Sequence, residues 1–172
     1  MKAVFVVAAI LGMAAWSLGA EPVVDGTVGP GEYTHSQPLM GGKLVLSWQA
    51  GADGGLYLAV RAKTAGWVAV GLGSQKMDGS VIYIGSVGTD GTPAFSEDAG
   101  KGHGHSPAAH RTADQSAVAA ADGWTTVEVH VPAGALPLTG TSEPFIVAYS
   151  GSKDLTTWHG LFNHATGTLS LP

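Results

Sequence analysis

Two apolar runs separated by one polar turn constrain this chain more than any other feature. In GWVAVGLGSQKMDGSVIYIGSV, residues 66–87, Trp67–Leu72 and Val81–Val87 are too short for stable lone helices and are rich in Val, Ile and aromatics. Such runs are strands, and because they are apolar on both faces they belong at the centre of a sheet. The turn between them, Ser74 to Ser80, contains Asp78-Gly79, a pair suited to a positive φ. Met77 is out of place in that turn. A thioether there is either a plug over the rim of the core or a soft ligand for a metal such as haem iron.

The remaining strand signals repeat in order along the chain. Leu44, Leu46 and Trp48 fall on one face of Lys43–Gln49, and Leu56, Leu58 and Val60 on one face of Leu56–Ala62, with a glycine-rich hairpin between them. Trp124–Val131 alternates Val127, Val129 and Val131 against Thr126, Glu128 and His130, while Pro144–Ser150 and Gly167–Leu171 close the series. Thr92–Ser96 is a weak strand. Asp98–Ala121 has little period and reads as a long surface loop. No helical period exceeds two turns beyond the N-terminal segment, and no repeat is visible. The pattern predicts an all-β fold, an antiparallel two-sheet immunoglobulin-like β-sandwich.

Ahead of the strands, Met1-Lys2 leads into an apolar run, Ala3–Trp16, and then Leu18-Gly19-Ala20. One positive charge, an apolar core and small residues at the end make 1–20 a secretory signal, cut after Ala20 or Gly19, with 21–172 as the single mature domain. The expected location is the periplasm or the cell exterior. No later stretch is long enough to span a bilayer, so the mature chain is not expected to cross a membrane. There is no cysteine, which rules out a disulfide framework, thiolate metal sites and a Cys-x-x-Cys-His attachment for c-type haem. A formal net charge of −5 argues against a nucleic-acid partner.

Four groups of residues could carry chemistry. Met77 can meet a late-loop histidine, His159 in Gly151–Gly160 or His164 just beyond it, and His with Met gives low-spin haem iron suited to electron exchange. His103, His105 and His110, in a Gly-rich segment, form a weaker second metal candidate. The aromatics Trp48, Tyr57, Trp67, Tyr83, Trp124, Tyr149 and Trp158 could supply a sugar-stacking platform. Hydrolytic catalysis has no support, with no Gly-x-Ser-x-Gly elbow and no Ser/His/Asp set at a defensible spacing, so the chain does not read as an enzyme.

The block GWVAVGLGSQKMDGSVIYIGSV resembles the core of DOMON domains, whose pattern is roughly G-[WY]-V-A-[IV]-G-[FL], a turn with K/S-M-x-G, and an I-G-x-V strand. FIVAYSGSKDLTTWHG followed by GTLSL is similar to the closing strands of that family, and VDGTVGPGEY to the opening of bacterial members and of related cytochrome and family-9 carbohydrate-binding sandwiches. The family contains b-type cytochrome domains with a Met and a His on the iron, and sugar-binding members without them. The resemblance implies Met77 and His159 as axial ligands of one non-covalent haem b, with His164 as the alternative to His159. It also implies outer-sphere electron transfer or haem-based redox sensing, with a redox partner protein or membrane electron carrier. Trp67, Tyr83, Tyr149, Trp158 and Phe162 are the candidate haem walls. A carbohydrate-binding sandwich without haem, or a His-loop metal-binding protein, are the alternatives.

Overall fold

The computed structural model describes residues 20–138 and 141–171; all but the last residue of the expected secretory signal lies outside them. The strands are β1 (His35–Leu39), β2 (Leu44–Ala50), β3 (Leu56–Ala62), β4 (Val68–Leu72), β5 (Val81–Val87), β6 (Pro93–Lys101), β7 (Gly104–Pro107), β8 (Gln115–Ala121), β9 (Trp124–Val131), β10 (Ser142–Tyr149) and β11 (His164–Ser170). They form a five-stranded sheet in the order β1-β2-β3-β9-β8 and a six-stranded sheet in the order β11-β10-β4-β5-β6-β7. Every pairing is antiparallel. Among the described residues the only helical element is a three-residue 3₁₀ turn, Met40–Gly42. The expected two-sheet sandwich is the fold observed.

The core lies between the sheets and is built by strand parity. Leu44, Leu46 and Trp48 of β2, Leu56, Leu58 and Val60 of β3, and Val127, Val129 and Val131 of β9 face Val68, Val70, Leu72, Tyr83, Phe145 and Val147 of the other sheet. Their near-complete burial supplies the main apolar driving force for folding, about 1.5–3 kcal/mol per large side chain. Outside this core, the N-terminal segment lies on the five-stranded sheet through Val24, Val28 and Tyr33, packed on Tyr57 and Ala59. The fully buried Glu128 ties it down, accepting hydrogen bonds from Tyr33 Oη at 2.7 Å and from the backbone N–H of Gly26 at 2.7 Å.

The stretch Asp98–Ala121 departs from the expectation of a surface loop. It contains the end of β6, the whole of β7, and β8. β6 and β7 form a hairpin turned at Gly102, whose φ is 60°. β8 is an edge strand of small residues, so little in its own sequence carries a period, and its register comes from pairing with β9. β1, which sequence reading missed, is likewise an edge strand, paired residue for residue with β2.

Candidate functional site

Strand parity also gives the six-stranded sheet an apolar outer face. When Val68, Val70 and Leu72 of β4 point inward, Trp67, Ala69 and Gly71 point out. Ile82 and Ile84 of β5 and Ile146 and Ala148 of β10 do the same on either side. Trp67, Ala69, Ile82 and Ile84 form a second buried apolar cluster, separate from the main core, on which Met77, Ala148 and Leu155 pack. This outer cluster is the floor of a cavity of about 390 Å³, counted with its open mouth, whose walls include Met77, His105 and His159. The cavity continues into a wider cleft of about 1140 Å³ bordered by Met77, His159, His164, His103, Trp158 and Leu161.

Met77 is held over the floor by a tied turn. Ser80 N–H donates to the Met77 carbonyl at 3.1 Å, and the Ser80 hydroxyl donates to the Lys76 carbonyl at 2.5 Å. Gly79 takes a φ of 81°, the conformation expected of the Asp-Gly pair, and its N–H donates to Gly100 O at 3.2 Å. Gly100 N–H in turn donates to Ser80 O at 2.8 Å, and Asp78 Oδ1 accepts from Gly102 N–H at 2.7 Å. A methyl group on Gly100 would lie 1.8 Å from the Met77 carbonyl oxygen, so only glycine allows β6 to run this close beneath the turn.

The loop after β10 carries His159 and is fastened to Trp67 by three hydrogen bonds. Ser150 N–H donates to Trp67 O at 3.0 Å, Trp67 N–H to Ser152 O at 2.8 Å, and the indole Nε1 to Thr157 O at 3.2 Å. Farther along, Ser86 Oγ donates to Lys153 O at 2.8 Å and Lys153 Nζ donates to Val87 O. His159 sits edge-on to the Trp67 ring, centroids 6.5 Å apart at 88°, and 5.0 Å from the His164 ring. Its Nδ1 is buried and has no hydrogen-bond partner. Burial holds the His159 pKa below the ordinary 6.5, against an opposing pull from the Gly160 backbone, and the neighbouring His164 adds to the lowering. A neutral ring with an orphaned nitrogen at an apolar cavity is chemically fitted to coordinate a metal ion.

The other expected residues divide by parity. Trp67 forms part of the floor. Trp158, 66% exposed, and the exposed His164 border the open cleft. Tyr83 is corrected from the cavity wall to the inner core: Ile82 and Ile84 take the outward positions, leaving Tyr83 fully buried between the sheets with its hydroxyl 2.6 Å from Thr112 Oγ1. Tyr149 likewise packs on the inner core, because Ile146 and Ala148 face outward. Phe162 is 85% exposed and lines neither the cavity nor the cleft.

The proposed triad of His103, His105 and His110 does not form. Among the described residues no group of three or more His, Cys, Asp or Glu side chains is placed to hold a metal ion. The β6–β7 hairpin separates the three: His103 borders the wide cleft, His105 lines the cavity, and His110 is exposed. The aromatics make no common platform either. Trp48 lies in the inner core, Tyr57 stacks on His130 under the N-terminal segment, and Trp124 stands beneath Arg61. The floor residues Ala69, Ile82, Ile84, Ile146 and Ala148 escaped sequence reading, although their alternation with the core positions was available to find them.

No family model matches the chain, and no curated protein matches it significantly. Among solved structures it is similar to the cytochrome b domain of pyranose dehydrogenase from Coprinopsis cinerea, at 17% identity over 74% of this chain and 76% of that one, with a TM-score of 0.53. It is also similar to the cytochrome domain of Myriococcum thermophilum cellobiose dehydrogenase, at 11% identity over 75% of each chain, with a TM-score of 0.57. At these identities the likeness establishes a shared fold. The sandwich is the one that the resemblance to DOMON domains implied.

Proposed function

We propose that this chain is an exported haem b-binding domain that carries electrons, with Met77 and His159 as the residues that would hold the iron. One observation supports it above the others: two ligand types 82 positions apart in sequence (159 − 77) line one apolar cavity, on a fold shared with cytochrome b domains. The floor of Trp67, Ile82, Ile84 and Ile146 suits a flat apolar ring, and the orphaned His159 Nδ1 lacks the partner that a metal would supply.

When bound, haem would supply reversible one-electron exchange, with Met77 and His159 as the residues that would hold its iron. The chain's own part is to hold both ligands on tied backbone, keep water from the floor, and leave one edge open at the cleft for a redox partner. That partner is a protein or a membrane electron carrier. Residues 1–20 act as the export signal and 21–172 as the working domain, in the periplasm or outside the cell. No helix among the described residues is long and apolar enough to cross a membrane. The scattering of the aromatics disfavours the sugar-binding alternative.

The test is an absorbance spectrum of the purified chain loaded with haem. A Soret band with low-spin visible bands is expected, and His159→Ala should lose most of the haem. A colourless protein that takes up no haem, or a spectrum unchanged by His159→Ala, overturns the reading.

A further inference from the structure

Beside the floor of the cavity lies one feature that a methionine–histidine pair leaves unused. On β6, directly across the ladder from Ile82 and so on the same outward face, stands Asp98, only 4% exposed. A carboxylate in such a place is costly unless it is bonded. Asp98 has two side-chain partners among the described residues, the Ser96 hydroxyl and His105 Nδ1. A histidine whose Nδ1–H goes to a carboxylate keeps its lone pair on Nε2 and cannot swing freely. This is the usual support of a metal-binding histidine. His105 therefore lines the cavity with Nε2 as its uncommitted nitrogen. Neither His105 nor Asp98 belongs to the ligand pair already described.

Position decides which ligand His105 stands beside. Its partner across the β6–β7 ladder is Gly100, the residue pressed against the Met77 carbonyl. Trp67, which fastens the His159 loop, lies at the far end of β4 from the turn that carries Met77. His105 is thus on Met77's side of the cavity.

We propose that His105, oriented by Asp98, is a third protein ligand of this centre and competes with Met77 for the iron opposite His159. The proposal rests on the haem reading above. The exchange breaks an iron–sulfur bond and makes an iron–nitrogen bond, with no change in electron count. Thioether ligation favours ferrous iron, while a second imidazole favours ferric. The two ligands therefore give the site a choice that follows the oxidation state of the iron.

The test uses the full chain loaded with haem, read by visible absorption and by electron paramagnetic resonance. Met77→Leu keeps the packing on Trp67 and Ile82 and removes the sulfur. It should remain low-spin, with a bis-imidazole signature and a lower reduction potential than wild type. The Met77→Leu, His105→Ala double variant should turn high-spin and release haem at least about tenfold faster, and Met77→Leu, Asp98→Asn should weaken haem binding by roughly tenfold. A Met77→Leu protein as high-spin as the double variant, beside a low-spin wild type, overturns this proposal alone. So does a Met77→Leu, His164→Ala variant that turns high-spin while Met77→Leu, His105→Ala stays low-spin, since His164 is then the entering ligand. A wild type that binds no haem overturns the underlying reading and this one with it.

Discussion

Replacing Gly100 by alanine perturbs the seat of Met77, while the nearest cavity side chain it meets is Ile82, at an ordinary contact distance of 3.4 Å from Cδ1. The new methyl carbon would sit 1.8 Å from the Met77 carbonyl oxygen, whereas real contacts of this kind begin beyond 3.0 Å. The obstructing atom is backbone, so no side-chain rotation relieves the clash. Either the turn or β6 must retreat. Overpacking of this sort costs about 1–3 kcal/mol, and stretching the two hydrogen bonds that join Gly100 to Gly79 and Ser80 adds about 1 kcal/mol. The expected loss is therefore about 2–4 kcal/mol, or roughly 5–15 °C in Tm for a domain of this size. Gly104→Ala is the control, because a methyl there meets nothing nearer than 3.9 Å. It should change stability by less than about 0.5 kcal/mol. Urea and thermal unfolding of both variants provide the measurement, with haem uptake as a second readout. If Gly100→Ala matches wild type in midpoint and in haem affinity, the close approach described above does not hold Met77.

Three further outcomes follow from the packing. Tyr83→Phe removes the bond to Thr112 and should cost about 1 kcal/mol by urea unfolding, yet leave the haem spectrum unchanged, because its ring faces the inner core. A shifted Soret band would return Tyr83 to the cavity wall. Phe162→Ser should alter stability by less than about 0.5 kcal/mol and leave haem uptake as it is, whereas Trp158→Ala, at the cleft, should speed haem loss. Burial raises the Glu128 pKa above its ordinary 4.5, so the folded state holds the Glu128 proton more tightly than the unfolded chain. The stability from this group is fully present below pH 4.5 and is lost as pH rises through the elevated folded value. Measured against Glu128→Gln, the wild type should lose ground as pH rises above 4.5, and a difference independent of pH would refute the shift.

How far the sequence could be read depended on how one-sided each strand is. β2 and β9 alternate cleanly, so their inner faces were legible from Leu44, Leu46 and Trp48 and from the three valines. β4 and β5 are apolar on both faces, which marked them as central but hid which face was which. Tyr83 therefore looks equally suited to either face from the sequence, whereas in the fold Ile82 and Ile84 hold the outward positions. Met77 stood out because a thioether in a polar turn needs an explanation. His105 was legible only as one of three histidines in a Gly-rich segment, because its place at the cavity depends on Asp98. The two are seven positions apart and meet only across a hairpin whose glycines and small residues show no period. The edge strands β1 and β8 were lost for a related reason: their order comes from a neighbour.

The placement of the cavity has a thermodynamic consequence. Its floor lies on the outside of a sheet whose inner face is already sealed against the other sheet. An empty cavity therefore costs the outer cluster some exposure but opens no void between the sheets. The chain should fold first and be loaded second, with the ligand adding stability by mass action rather than acting as a nucleus for folding. A domain arranged in this way can give up a bound ligand and take it back without unfolding.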